Sequence, residues 1–172
     1  MNANYSYSTY ESFLNTIKSP VQEQFIRGNL VIENREKETW DIAVGIQVDY
    51  NSRDFLLQQN FNQQFITNKY FIDADWFIAK DWVLSSSYDF YNYSDEFFSS
   101  GSQFNLWNAS LTKVFKENKW QLSLIANDLL QQNIGLVRSG GLNGLYEQRF
   151  NTLTRYFLLS VKYKIGKKKK KS

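Results

Sequence analysis

The segment Tyr156–Ile165, with the sequence YFLLSVKYKI, alternates apolar and polar side chains along most of its length. Successive side chains of an extended strand point to opposite sides, so alternate residues share a face. One face therefore takes Phe157, Leu159, Val161, Tyr163 and Ile165, and the other takes Thr154, Tyr156, Leu158, Ser160, Lys162 and Lys164. This period of two predicts a β-strand whose two faces meet different environments.

The same alternation recurs along the chain, whereas helical spacing is hard to find. It is clear in residues 40–50, 71–78, 82–90 and 120–127, and weaker in residues 2–10, 23–33 and 104–115. Together with the C-terminal segment these stretches give about eight strands. The sequence therefore predicts an all-β fold built as an antiparallel meander.

Strand and loop lengths indicate a membrane barrel. The strands are near the roughly 9–11 residues that a tilted strand needs to cross a bilayer, and soluble strands more often have about 5–6. Short connections at residues 34–39, 80–81 and 116–119 alternate with long ones at 11–22, 51–68, 94–103 and 129–148. Short turns at one end and long loops at the other are typical of outer-membrane barrels. Residues 1–165 are therefore predicted to form a transmembrane β-barrel segment.

Tryptophans are concentrated at the short-turn end. Trp40, Trp82 and Trp120 each follow a short connection, and Trp76 lies a few residues before one. Indole prefers a membrane–water boundary, because its ring is apolar and its N–H needs a partner. These four residues are predicted to form an interfacial aromatic girdle, although core tryptophans of a soluble β-protein would be the alternative.

The two strand faces predict which side chains meet lipid and which meet an enclosed lumen. The predicted lipid-facing residues are Ile42, Val44, Ile46, Trp82, Leu84, Leu122, Leu124, Phe157, Leu159 and Val161. The predicted lumen-facing polar residues are Asp41, Gln47, Asp49, Asp73, Asp75, Ser85, Ser87, Asn108, Ser110, Ser123 and Ser160. The carboxylate pairs Asp41/Asp49 and Asp73/Asp75 could serve acid–base chemistry or bind a cation, but polar lumen lining is the favoured interpretation.

Composition excludes several function classes. The 172-residue chain is 42% apolar and 17% aromatic, and it has no His and no Cys. Disulfide scaffolds, Cys/His zinc sites, His-containing catalytic triads and thiol nucleophiles are therefore excluded. We predict no enzymatic activity and no cofactor. The formal net charge is +3, but Lys167 to Lys171 supply +5 of it, so the rest of the chain sums to −2. Residues 166–172 are therefore predicted to be a disordered basic tail, and no nucleic-acid partner is expected.

Three C-terminal motifs carry a family resemblance. They are FNLWNASL at 104–111 with KVFK at 113–116, LSLIANDLLQQN at 122–133, and NTLTRYFLLSV at 151–161. This series resembles the closing strands of the outer-membrane β-barrel family related to TonB-dependent receptors. The motif resemblance covers about residues 104–165, and the strand rhythm extends it back to about residue 23.

The resemblance implies a location, a function and partners. Such receptors have an N-terminal plug and a barrel of about 22 strands, so this chain resembles the C-terminal portion of a nutrient transporter in the cell outer membrane. The implied partners are outer-membrane lipid, the barrel assembly machinery, and the plug and barrel strands that this sequence lacks. Phe157, Leu159, Val161, Tyr163 and Ile165 resemble a final-strand assembly signal, although Gly166 and a lysine run follow where the family usually ends on an aromatic residue.

Two further hypotheses stay open at this point. The chain could close alone as a small eight-stranded outer-membrane barrel with a structural or adhesion role, because eight strands leave an interior that side chains can fill. It could instead be a soluble β-barrel that binds a small apolar ligand.

Overall fold

A computed structural model describes residues 1–14, 16–36, 39–57, 59–94, 103–115, 119–133, 135–141 and 144–165. The predicted basic tail, residues 166–172, lies outside these ranges. The strands are β1 (Asn2–Leu14), β2 (Ile17–Glu36), β3 (Trp40–Phe55), β4 (Gln63–Ala79), β5 (Trp82–Tyr93), β6 (Gln103–Phe115), β7 (Trp120–Asn127), β8 (Leu136–Gly141), β9 (Gly144–Arg149) and β10 (Tyr156–Tyr163). The one helix in the described ranges is a single 3-10 turn, Gln59–Phe61, and it is far too short to cross a membrane.

Eight strands form one antiparallel sheet in the order β1-β2-β3-β4-β5-β6-β7-β10. The strands β8 and β9 pair only with each other, as a hairpin within the connection from β7 to β10. The predicted all-β antiparallel meander of eight strands is therefore confirmed. The sheet is open, because β1 and β10 are edge strands and do not pair with each other within the described ranges.

The prediction of a long connection at residues 11–22 is wrong. Strands β1 and β2 continue through it and turn tightly near Thr16, with Glu11 opposite Pro20. The carbonyl oxygen of Pro20 accepts a hydrogen bond from the N–H of Leu56, beyond the end of β3. A residue in an antiparallel strand directs its nitrogen and its carbonyl to the same side, so the missing N–H of Pro20 lies away from β1. The proline therefore leaves the pairing of β1 with β2 intact.

Other strands are also longer than predicted. β2 has 20 residues, β3 has 16 and β4 has 17. As a result, the loop predicted at residues 51–68 shrinks to the stretch between Phe55 and Gln63. Three strands thus extend well past the roughly 9–11 residues of a membrane crossing, at the end opposite the short turns.

The strand register sorts side chains into two faces. Trp40, Trp76, Leu84, Leu111, Leu124 and Leu159 form one transverse line across six strands, and we call their side the apolar face. Asp41, Asp75, Ser85 and Ser110 form the next line, on the polar face. Every residue predicted to face lipid lies on the apolar face, and every residue predicted to face a lumen lies on the polar face. That these faces meet lipid and water stays a prediction.

The sheet has almost no core of its own. Among the described residues, only Val21 and Phe55 are buried apolar side chains. By contrast, Ile32 is 72% exposed and Leu159 is 71% exposed, both on the apolar face. This single layer leaves its apolar side uncovered, which a soluble sandwich would bury against a second sheet.

Strand ends shift steadily along the sheet. The transverse line through Asn2 of β1 passes through Lys69 of β4 and reaches Phe104 near the start of β6. β7 pairs with β6 only from Ala109 onward, and β10 begins level with Asn127, the last residue of β7. The strands are therefore staggered in the way that tilted barrel strands require.

Candidate membrane surface and inward face

Aromatic side chains form a band on the apolar face at the short-turn end, which we call the turn-end girdle. It contains all four tryptophans of the predicted girdle, Trp40, Trp76, Trp82 and Trp120. Trp40 and Trp76 are opposite each other on β3 and β4, and their rings stack with centroids 5.0 Å apart and an interplanar angle of 4°. The structure therefore brings these tryptophans to one face and one end.

Further side chains extend the turn-end girdle. Trp120 contacts Tyr163 of β10, with ring centroids 4.5 Å apart. The ammonium of Lys113 lies 4.6 Å from the ring centroid of Trp82 and 4.9 Å from that of Phe115. A lysine beside aromatic rings can keep its charge at a water boundary while its methylene stem covers apolar surface.

A second aromatic band lies on the apolar face toward the loop end, and sequence reasoning missed it. This loop-end girdle consists of Tyr50, Tyr70, Tyr88, Phe90 and Trp107. The Tyr88 hydroxyl donates to Asn105 Oδ1 at 2.5 Å, and Trp107 Nε1 donates to Ser86 Oγ at 3.0 Å. Its signal in the sequence was the tyrosines and phenylalanines in the same alternation phase as the tryptophans, six to ten residues away along β3, β4 and β5.

The two girdles are ten residues apart on β3, and six to eight residues apart on β4 and β5. On β3, Trp40 and Tyr50 are separated by aliphatic residues that include Ile42, Val44 and Ile46. The interval is about 33 Å along the strand at roughly 3.3 Å per residue, which a tilt of about 40° reduces to about 25 Å of height. The apolar band of outer-membrane barrels is about 25 Å tall and flanked by aromatic residues at both interfaces.

The polar face carries a group of carboxylates in its turn-end half. Asp41, Asp73 and Asp75 lie beside Ser85 on adjoining strands and line a depression of about 380 Å³. Ser123 lies farther along the same face, where its hydroxyl is 2.9 Å from that of Thr112. Within the described ranges no set of acidic side chains has an arrangement that could hold a metal ion.

The loop-end half of the polar face has paired charges instead. Asp49 accepts two hydrogen bonds from Arg27, at 2.7 and 2.8 Å. It lies eight residues along β3 from Asp41, so the two carboxylates are far apart. Lys69 pairs with Asp89 at 3.0 Å. Asp41 and Asp49 therefore share a face but do not form a site, whereas Asp73, Asp75 and Asp41 are neighbours.

A small cluster packs where β1, β2 and β3 extend beyond the loop-end girdle. Val21 and Phe55 are fully buried there beside Tyr10. The loop after β3 folds back over this cluster, because the N–H of Leu57 donates to Ser19 Oγ at 3.3 Å. Burial raises the pKa of the Tyr10 phenol, which stays protonated at neutral pH.

Asp128 organises the turn after β7. It is 2% exposed, its Oδ1 accepts the N–H of Gln132 at 3.0 Å, and its Oδ2 accepts the N–H of Asn133 at 3.1 Å. Its own N–H donates to Asn108 Oδ1 at 3.0 Å. The NDLLQQN motif is thus a structured turn that runs along the edge of β6 where β7 has ended.

The final strand presents its apolar side chains outward. Phe157, Leu159, Val161 and Tyr163 are all exposed on the apolar face. Ile165 lies past the end of β10, although the N–H of Lys164 still bonds the carbonyl of Lys119 at 2.9 Å. The last residue of the predicted assembly signal, Ile165, therefore lies two residues beyond the end of β10.

No protein-family model matches this chain, and no curated protein or solved structure is significantly similar to it.

Proposed function

We propose that this chain is a membrane-spanning sheet of an outer-membrane β-barrel, and that it forms the C-terminal portion of a nutrient transporter similar to TonB-dependent receptors. The observation that carries the proposal is the pair of aromatic girdles on the apolar face, six to ten residues apart along β3, β4 and β5, with aliphatic side chains between them on β3. The proposed location of the protein is the cell outer membrane, and its proposed partners are outer-membrane lipid and the barrel assembly machinery.

Exposure of the apolar face supports a lipid environment. Side chains such as Ile42, Val44, Leu124 and Leu159 are exposed and contiguous across several strands. Apolar patches larger than a few hundred Å² are rare on soluble monomers and mark interaction surfaces. Hydrocarbon covers such a surface without a second protein layer.

Charge on the polar face supports a wide, hydrated lumen. Asp73 and Asp75 form no ion pair with a side chain that the structure describes, and both lie close to Asp41, which is opposite Arg35 of β2. An eight-stranded barrel has an interior that side chains fill, so three neighbouring carboxylates would lose much of their water there. A larger barrel keeps them solvated, and it provides the passage that nutrient uptake needs.

Arginine substitution on the two faces of β10 tests the proposal. Leu159→Arg places a charge on the apolar face between the girdles and is expected to destabilise the inserted protein by ~2–4 kcal/mol. Ser160→Arg is the matched control, because its side chain lies on the polar face one residue away. The measurement is the urea dependence of folding into phospholipid vesicles, and equal destabilisation by both substitutions would contradict the proposal.

A further inference from the structure

Lys113 places a positive charge on the apolar face at the turn-end girdle. The register of β6 sets it opposite Trp82 of β5 on one side and Leu122 of β7 on the other. Among the apolar-face residues of the described strands β4 to β7 and β10, Lys113 is the one that carries a charge. An ammonium at the edge of a hydrocarbon layer is costly unless a group of opposite charge or polarity compensates it.

The described protein groups around Lys113 compensate its charge only in part. The ammonium lies 4.6 Å from the ring centroid of Trp82 and 4.9 Å from that of Phe115. It forms no ion pair with a carboxylate that the structure describes, although the carbonyl of Asp81 accepts the N–H of the neighbouring Val114 at 2.9 Å. Ring faces attract a cation, but an ammonium has three N–H donors, and a phosphate supplies both the opposite charge and acceptor oxygens.

A shallow apolar groove begins beside Lys113. It has a volume of about 390 Å³ and crosses β7 from β6 to β10, and we call it the β7 groove. Its lining residues are Phe115, Trp120, Gln121, Leu122 and Val161. Leu122 is directly opposite Lys113, and the ring of Phe115 contacts the ammonium, so the charge lies at the edge of the groove. A cation at the edge of an apolar groove matches an amphiphile with an anionic head and a hydrocarbon tail.

We propose that Lys113 and the β7 groove bind an anionic glycerophospholipid, phosphatidylglycerol, from the bilayer leaflet at the short-turn end. The lipid phosphate accepts hydrogen bonds from the Lys113 ammonium, and part of an acyl chain lies along Leu122 and Val161. A zwitterionic headgroup fits less well, because its own ammonium would lie beside Lys113 with no described carboxylate to balance the two positive charges. The inference rests on the proposed function, since a sheet outside a bilayer would not meet this lipid.

Fluorescence of Trp120 reports which lipid occupies the groove, because this residue lines it. The chain with its other four tryptophans replaced by Phe is reconstituted in vesicles of equal parts phosphatidylglycerol and phosphatidylethanolamine. One of the two lipids at a time carries bromine, on the acyl carbons nearest the headgroup. Bromine on phosphatidylglycerol is expected to quench Trp120 as if that lipid were enriched roughly fivefold beside the groove, since one lysine attracts one anionic headgroup.

Substitutions of Lys113 assign the lipid preference to its ammonium. Lys113→Gln removes the charge and is expected to make the two brominated lipids quench Trp120 equally, whereas Lys113→Arg keeps the charge and should retain the preference. Lys162→Gln is the matched control, because Lys162 lies opposite Gln121 on the polar face and should leave the preference unchanged. If Lys113→Gln does not enter the vesicles, Lys113→Met repeats the test with an uncharged apolar side chain.

Three results would overturn the lipid site. Equal quenching by the two lipids before any change at Lys113 would show no preference, and a preference that survives Lys113→Gln would belong to other lysines. Failure of both lipids to quench Trp120 would show that protein covers the groove. Flotation of the chain with the vesicles tests the proposed function separately: a chain that does not float refutes the membrane role and the site with it, whereas a chain that floats without a lipid preference refutes the site alone.

Discussion

Asp128 stabilises the turn after β7 through its carboxylate. Because the side chain is buried and accepts two backbone N–H groups, Asp128→Ala leaves both donors unsatisfied. We expect a loss of about 1–3 kcal/mol in the free energy of unfolding, measured by urea titration in micelles. Asp128→Asn keeps one acceptor oxygen, so its unfolding free energy is expected to lie between those of the unchanged protein and Asp128→Ala.

Asp81→Ala is the control for this prediction, because Asp81 is exposed in the short turn before β5. Its removal is expected to change the unfolding free energy by no more than about 0.5 kcal/mol. If Asp128→Ala were as mild as this control, Asp128 would not organise the turn.

Gly45 accommodates an aromatic ring on the polar face. Phe71 lies opposite Gly45, and a Cβ added there would be 2.3 Å from the tip of the Phe71 ring. Gly45→Ala should therefore displace the ring and destabilise the fold by about 1–3 kcal/mol. Gly28→Ala is the matched control, since no atom lies within 4 Å of the added methyl group there. The measurement is again the urea midpoint, and equal midpoints for the two variants would refute the steric argument.

At the scale of the strand, local alternation predicted the elements and their faces well. Residues 40–50 and 82–90 identified β3 and β5, because each side chain's face depends only on its position along the strand. The β1–β2 hairpin was not predicted, since Pro20 is a strong breaker unless its nitrogen lies on a side that needs no donor. That side depends on the register with β3, which local sequence does not contain.

The two girdles and Asp128 also show what local sequence cannot predict. The turn-end girdle was predictable because each tryptophan is close to a short turn. The loop-end girdle depends on the stagger between strands, which brings Tyr50, Tyr70 and Trp107 to comparable depth although they occupy different positions along their strands. The buried role of Asp128 likewise depends on a contact with Asn108 of a neighbouring strand.

The stacked pair of Trp40 and Trp76 makes its own prediction for the turn-end girdle. A double-mutant cycle with Trp40→Ala and Trp76→Ala should give a coupling energy of about 0.5–1.5 kcal/mol, because the rings stack across neighbouring strands. The cycle of Trp40→Ala with Trp120→Ala is the control, since β3 and β7 are not adjacent. Its effects should add within about 0.5 kcal/mol, and comparable coupling in both cycles would contradict specific stacking.

At the scale of the whole molecule, the open sheet has the features of a single layer that separates lipid from water. Stagger inclines the strands, the girdles mark two levels on the apolar side, and the polar side groups Asp41, Asp73 and Asp75 around one depression. Together they agree on a sheet that lies between hydrocarbon and a hydrated interior, because a soluble layer would need to cover the apolar face and a filled barrel would need to neutralise the acids.

The depth of each level can be measured by quenching of tryptophan fluorescence with brominated lipids. Trp120 in the turn-end girdle and Leu124 lie on the same face of β7, about 13 Å apart along the strand. With the other tryptophans replaced by Phe, Trp120 should be quenched most by bromine near the headgroups. In a second variant that also carries Trp120→Phe, the indole introduced by Leu124→Trp should be quenched most by bromine deep in the acyl chains. Deep quenching of Trp120, or no difference between the two sites, would show that the sheet does not cross the bilayer with its girdle at the interface.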